Sequence, residues 1–143
     1  MADPARIVAV RRVEWSDTDA AGVFHWGTAF RMVEAAEALL HDRLGIRERT
    51  FGRTPRVHVE ASYSREFRFF ERVAVELRVA SVGRTSLRYA FALRPEGEQE
   101  AGVEGELVIV YVTEQPAGKS EPWPADLREK LEGAGDLGVV EAP

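Results

Sequence analysis

The sequence predicts an α+β fold in which a largely antiparallel, five-stranded sheet wraps one long central helix. Two observations predict it. Apolar residues at three- and four-residue spacing form a single long run near the N-terminus, and three runs of two-residue alternation and one β-branched run follow. A strand-like stretch precedes the helical run, so the order is strand, long helix, four strands. With 143 residues there is room for one domain, placed at 1–132, with 133–143 as a loose C-terminal tail.

Each element has its own signal. Residues 6–15 read as a strand, ending in the alternation Arg12-Val13-Glu14-Trp15 before the polar turn Ser16-Asp17-Thr18-Asp19. Ala29, Phe30, Val33, Ala36, Leu40 and Leu44 define the helix, with Gly22 and Gly27 before it and Gly45 as its stop. An arginine-rich connection fills 46–56. The period then becomes two: Val57, Val59, Ala61 and Tyr63, then Val73 to Val79, Leu87 to Leu93, and the run Leu107–Val112, each strand with one face buried. Ser81-Val82-Gly83-Arg84 and Pro95-Glu96-Gly97-Glu98 read as hairpin turns. A proline-rich loop over 114–124 leads to a short helix at 125–132.

Composition excludes several classes of chemistry. There is no cysteine, hence no disulfide, zinc-thiolate site or thiol nucleophile, and His25, His41 and His58 have no metal-ligand spacing. No metal and no cofactor are expected. A net charge of −5 argues against nucleic-acid binding, which needs a basic surface. The charge is uneven, however: residues 43–94 carry twelve Arg and five Glu, residues 95–143 three bases and twelve acids. That basic middle suits a phosphorylated small molecule. The chain shows neither an apolar leader nor a membrane-length apolar run, so a cytoplasmic location without membrane contact is expected.

Two motif matches fail on context. Gly133-Ala134-Gly135-Asp136-Leu137-Gly138 fits a dinucleotide fingerprint but follows a helix, near the end of the chain. Gly118-Lys119-Ser120 resembles the end of a P-loop but has Thr113 where the first glycine belongs. No GxSxG elbow occurs. The segment from Trp15 to Leu40 is different: it sets Asp17 and Asp19 in a glycine-containing turn just ahead of a helix. A helix N-terminus offers free N–H groups and partial positive charge, suited to polarising a carbonyl, and a neighbouring carboxylate can act as base or nucleophile. On residue types alone, the two aspartates could equally order the turn or cap a helix.

Asp17-Thr18-Asp19-Ala20-Ala21-Gly22-Val23, followed by Phe24-His25 and a helix carrying Glu34, resembles the hotdog-fold acyl-CoA thioesterases of the 4-hydroxybenzoyl-CoA thioesterase type. The pattern D-x-D-x-x-G followed by Ile or Val is met without a gap, and the element order matches over roughly residues 6–113. The resemblance implies that Asp19 attacks the thioester carbonyl or activates water, and that the backbone amide of Trp26, with Gly27 next to it, polarises the thioester oxygen. It implies contacts from Arg84, with Ser86 close by, to coenzyme A phosphates. It also implies a homodimer, assembled as a dimer of dimers, with acyl-CoA as substrate and each site between two chains. Gly22, His25 and Tyr63 join the substrate-binding candidates, Trp26, Phe30 and Val33 the possible acyl pocket, and Arg65 and Arg68 are added from the charge of the middle segment alone.

Departures leave alternatives. Relatives often carry an aromatic residue where this chain has Ala29, and Tyr-His where it has His25-Trp26. His25-Trp26-Gly27 is part of an HGG motif, and Glu34 lies nine residues after its histidine, the separation at which another hotdog group places its carboxylate. Glu34 is therefore an alternate acid. Glu37 shares the apolar stripe and should find an arginine partner. His41 is expected at the surface and His58 on the strand face opposite the apolar residues. A hydroxyacyl-thioester dehydratase using His25 with Glu34, or a non-catalytic acyl-CoA-binding protein, are the alternatives.

Overall fold

The computed structural model describes residues 3–113 and 118–142, so the expected loop over 114–124 lies partly outside the described residues. Strand β1 (Arg6–Arg12) leads through a single 3-10 turn at Trp15–Asp17 to helix α1 (Thr28–Arg43) and a short helix α2 (Arg47–Thr50). Strands β2 (Arg56–Tyr63), β3 (Arg72–Val82), β4 (Ser86–Pro95) and β5 (Val103–Val110) follow, then helix α3 (Ala125–Gly133) and strand β6 (Asp136–Glu141). The sheet order is β2-β5-β4-β3-β1-β6, antiparallel except for β1 beside β6. Among the described residues no helix is long and apolar enough to cross a membrane.

The helix is where its periodicity puts it. Ala29, Met32, Val33, Ala36 and Leu40 meet Ile7 and Ala9 of β1, Val75 and Leu77 of β3, and Leu87, Phe91 and Leu93 of β4 in one core. Lys130 of α3 donates to the Leu44 carbonyl at 2.8 Å, closing the helix end beside Gly45. Strand β5 starts earlier than its apolar run because Gly105 is part of it: a Cβ there would stand 2.0 Å from the Glu60 carbonyl oxygen.

Several expectations are corrected. The sheet has six strands, and 136–141 is not a loose tail: β6 pairs with the open side of β1, and Leu137 and Val140 pack on the core. The first strand stops at Arg12 because the Asp17 carboxylate accepts the Glu14 N–H at 2.8 Å and turns the chain. The connection 46–56 contains α2. Val57, Val59 and Tyr63 are 58, 42 and 41% exposed rather than buried. Strand β2 is an edge strand paired only with β5, while α1 packs over β1 and β3 at the sheet's other side.

His41, expected at the surface, is fully buried. It sits one turn beyond Glu37 on the inner face of α1, where α2 and β4 close over it. Its Nδ1 lies 2.6 Å from Thr50 Oγ1 and its Nε2 2.6 Å from Tyr89 Oη. Burial, with a smaller contribution from the Arg56 charge, lowers its pKa to about 4, so the ring is neutral and donates through one nitrogen while accepting through the other. Glu37 is also fully buried, and the partner expected for it is Arg56. Burial pushes the Glu37 carboxyl above its ordinary value while Arg56 opposes the shift.

Two outcomes follow from this buried chain of polar groups. Tyr89→Phe leaves the His41 Nε2 without its partner and lowers stability by about 1–3 kcal/mol in chemical denaturation; an unchanged midpoint would remove the hydroxyl from the account. The second is a pH effect. An unfolded histidine takes up its proton near 6.5, buried His41 only at about 4. The unfolded chain binds more protons between those values, so stability falls as pH falls through that window, by up to about 1.4 kcal/mol per unit. Glu37, raised in the folded state, works in the opposite sense. Glu37→Gln removes that opposition, and a flat stability profile from pH 6.5 to 4 in this variant would contradict a neutral buried His41.

Candidate active site

The loop between β1 and α1 is held by a carboxylate. Asp17, buried, accepts from the Glu14 amide and from Arg11 Nη2 at 3.2 Å through Oδ2, and from Arg31 Nη2 at 3.3 Å through Oδ1. Its carbonyl accepts the His25 N–H at 2.7 Å and Thr28 Oγ1 at 2.9 Å. One residue thus fastens the end of β1 to the start of α1. Asp17 is the member of the aspartate pair that orders the turn.

Asp19 is exposed two residues on. Its carbonyl accepts the Gly22 N–H at 3.0 Å and its own N–H donates to the Val23 carbonyl at 2.8 Å, a tight turn closed by Gly22 at φ +79°. Oδ1 accepts the Ala21 N–H at 2.8 Å, which fixes the carboxylate; among the described residues Oδ2 has no partner. A bridge from Thr18 to Phe24 closes this loop on itself, and one from Val23 to Arg68 binds it to the segment after β2.

At the start of α1, the two amides singled out by sequence differ. The Gly27 N–H donates to His25 Nδ1 at 3.0 Å, whereas the Trp26 N–H has no partner among the described residues. Tyr63 Oη donates to the Trp26 carbonyl at 2.5 Å, pinning residue 26 to β2. Partial burial raises the Tyr63 pKa, which keeps the phenol protonated as that donor. Asp19, Val23, Trp26, Tyr63 and Arg65 line one cavity of about 450 Å³. The His25 ring stacks beside Trp26, with ring centres 5.4 Å apart. Arg65 holds Glu71 at 2.8 Å and lies over the Phe67 ring.

Other candidates lie elsewhere. Glu34 is exposed two turns along α1, 3.5 Å from Arg56, and lines a second, smaller cavity with Phe30 and Val33. His58 is exposed and 3.2 Å from Glu60. Arg84 and Ser86 sit at the β3–β4 turn, where Trp123 Nε1 donates to the Ser86 carbonyl at 2.9 Å. Tyr63 pairs with Val103, Val103 with Leu93, and Ser86 is seven residues farther along β4, about 23 Å away. Within one chain, Arg84 and Asp19 are at opposite ends of the sheet. Sequence reasoning left Asp17's role open and missed the arginines around it; the signal available was the alternation that set Arg11 beside a strand end.

This arrangement can be compared with known proteins. The sequence matches the thioesterase-like superfamily over residues 13–131. The fold is similar to that of the PA5185 protein from Pseudomonas aeruginosa, with 28% identity, 87% of each chain covered and a TM-score of 0.77. A 1,4-dihydroxy-2-naphthoyl-CoA thioesterase from Synechocystis shares the fold at 19% identity, covering 88% of this chain and 95% of its own, with a TM-score of 0.74. A substituted 4-hydroxybenzoyl CoA thioesterase complexed with 4-hydroxybenzoyl CoA does so at 20% identity, covering 89 and 99%, with a TM-score of 0.75. No curated protein matches the sequence significantly. With the family match running from just after β1 into α3, and the six-stranded sheet wrapped around α1 in the hotdog manner, the chain belongs to the thioesterase-like superfamily.

Proposed function

We propose that the chain hydrolyses an acyl-CoA thioester to a carboxylic acid and free coenzyme A. The observation that carries this reading is the pairing, around one cavity, of a fixed carboxylate with a free oxygen on Asp19 and an unpartnered N–H on Trp26 at the start of α1. The thioester oxygen accepts from the Trp26 amide, where the helix dipole adds partial positive charge. Asp19 Oδ2 either attacks the carbonyl carbon or takes a proton from the water that does. In the first route the carbon–sulfur bond breaks from the tetrahedral adduct, coenzyme A leaves as thiolate, and water cleaves the resulting anhydride to return Asp19. In the second, water adds directly and the thiolate leaves with the proton that Asp19 held. Water is the only co-reactant and no cofactor is needed.

The site reads as half of a pair. Edge strand β2 exposes Val57, Val59 and Tyr63, and Arg84 and Ser86 lie too far from Asp19 in the same chain to share its substrate. A second copy brings its own Arg84 and Ser86 to the coenzyme A phosphates of this site. The expected particle has two or four times the 16.0 kDa chain mass; light scattering that finds a monomer at assay concentration while thiol release proceeds would contradict this assembly.

Thiol release from a panel of aromatic and aliphatic acyl-CoAs tests the activity. Asp19→Asn lowers kcat by about 10²–10⁴-fold with unchanged fold by circular dichroism. Full activity in this variant would refute the role of Asp19 and point to Glu34, the alternate acid. Trp26→Phe keeps its amide, so its kcat stays within about tenfold of wild type. Single-turnover hydrolysis in ¹⁸O-water separates the routes: label recovered in the Asp19 carboxylate marks the nucleophilic one.

A further inference from the structure

The carboxylate and the amide of the hydrolysis must be held in register, and one short segment reaches both. It runs from Tyr63, the last residue of β2, to Arg68. The loop that carries Asp19 is tied to it by backbone alone: Val23 bridges to Arg68, and the Phe24 N–H donates to the Phe67 carbonyl at 2.8 Å. The start of α1 meets the same segment through a side chain, since Tyr63 Oη donates to the Trp26 carbonyl at 2.5 Å. Among the described residues, this is the one hydrogen bond that joins Trp26 to the sheet.

The direction of the Trp26 N–H is set by the peptides on either side of its Cα. The peptide that carries it begins at His25, whose N–H donates to the Asp17 carbonyl at 2.7 Å and whose carbonyl accepts the Thr28 N–H at 2.8 Å. The next peptide, joining Trp26 to Gly27, is held at its carbonyl by Tyr63 and at its N–H by His25 Nδ1, 3.0 Å away. A Cβ on Gly27 would stand 3.2 Å from that Nδ1, so glycine leaves room for the bond. The indole is no anchor, being 66% exposed. Tyr63, by contrast, is itself fixed. Past a β-bulge between Arg56 and His58 that turns Arg56 inward, β2 pairs with β5 to its end, where Tyr63 faces Val103. Directly after it, the Ser64 and Arg65 N–H groups donate to the Gly102 carbonyl at 2.8 and 3.3 Å.

We propose that Tyr63 is a positioning residue for the hydrolysis: it acts through Trp26, whose amide its hydroxyl keeps aimed at the thioester oxygen. The inference rests on the acyl-CoA hydrolase reading and deepens it by naming what holds the oxyanion donor. A preorganised donor stabilises charge as it develops, and a misplacement of about 1 Å can cost about a hundredfold in rate. Without the hydroxyl, the Trp26 carbonyl has no partner on the sheet and residue 26 can shift. Asp19 stays in place because its loop is tied by backbone. The ground-state thioester draws little on the amide and the tetrahedral oxyanion draws strongly on it, so the loss falls on kcat rather than on KM.

The test compares wild type with Tyr63→Phe, which removes one oxygen atom from a half-exposed side chain, in thiol release from acetyl-CoA, hexanoyl-CoA, dodecanoyl-CoA and benzoyl-CoA. On every probe that wild type hydrolyses, kcat falls by about tenfold to a hundredfold while KM stays within about twofold. A second readout needs no turnover. In the Asp19→Asn background, the fastest of these probes, labelled with ¹³C at its carbonyl, absorbs in the infrared at lower frequency when bound than in water, because the amide polarises it. Adding Tyr63→Phe moves that band back toward its frequency in water. A purely structural role would lower the melting temperature and leave both kcat of the folded enzyme and the band unchanged. An unchanged kcat, a rise in KM alone, or a band that does not move would overturn the role of Tyr63 and leave the hydrolase reading standing. No thiol release by wild type from any of the four would overturn the hydrolase reading, and this inference with it.

Discussion

The buried face of α1 carries a carboxylate and an imidazole into the core, and the rest of the structure is arranged to satisfy them. A helix wrapped by a sheet has no water on its inner side, so Glu37 and His41 would each cost several kcal/mol if left without partners. The partners come from three other elements: Arg56 from β2, Tyr89 from β4 and Thr50 from α2. These side chains fix the helix against a bulged edge strand, a central strand and the turn that follows the helix. Apolar packing alone is tolerant of small rotations of α1; a chain of hydrogen bonds to three elements is not.

That fixed helix makes the start of α1 a defined place, and the loop ahead of it divides two similar residues by burial. Asp17 spends both carboxylate oxygens and its carbonyl on structure, drawing Arg11, Arg31, Glu14, His25 and Thr28 around it. Asp19 is held by its backbone and one oxygen only, so its second oxygen is available for chemistry. Two carboxylates two residues apart can do different work because a tight turn sends one inward and the other out. The same logic separates the amides of Trp26 and Gly27, one free and one taken by His25.

The α+β architecture was legible from period alone, since α1 and the central strands each bury one continuous face. The aspartate turn was legible too, because glycine and paired aspartates constrain a short segment strongly. What escaped depends on neighbours distant in sequence. Alternation in β2 is plain, yet which of its residues are covered depends on its edge position, and the bulge that turns Arg56 inward leaves no local mark. His41 is polar and near a helix end, a surface signature, until Thr50 and Tyr89 close on it. Segment 136–141, with a glycine and two acids, reads as a tail until β1 offers an unpaired side.

The edge position of β2 also leaves a wall of each cavity open to a neighbour. Tyr63 and Val59, on one face of that strand, belong to the cavity of Asp19 and to the smaller cavity ended by Arg56, respectively. Both residues stay substantially exposed in the single chain, and the backbone groups on the free side of β2 have no strand to pair with. Covering this edge with another copy would wall both cavities and remove water from around the Trp26 amide and the Arg56 guanidinium. Electrostatic contacts strengthen as water leaves. Polar contacts in both cavities would then be strengthened by the same association, because one strand supplies a wall to each.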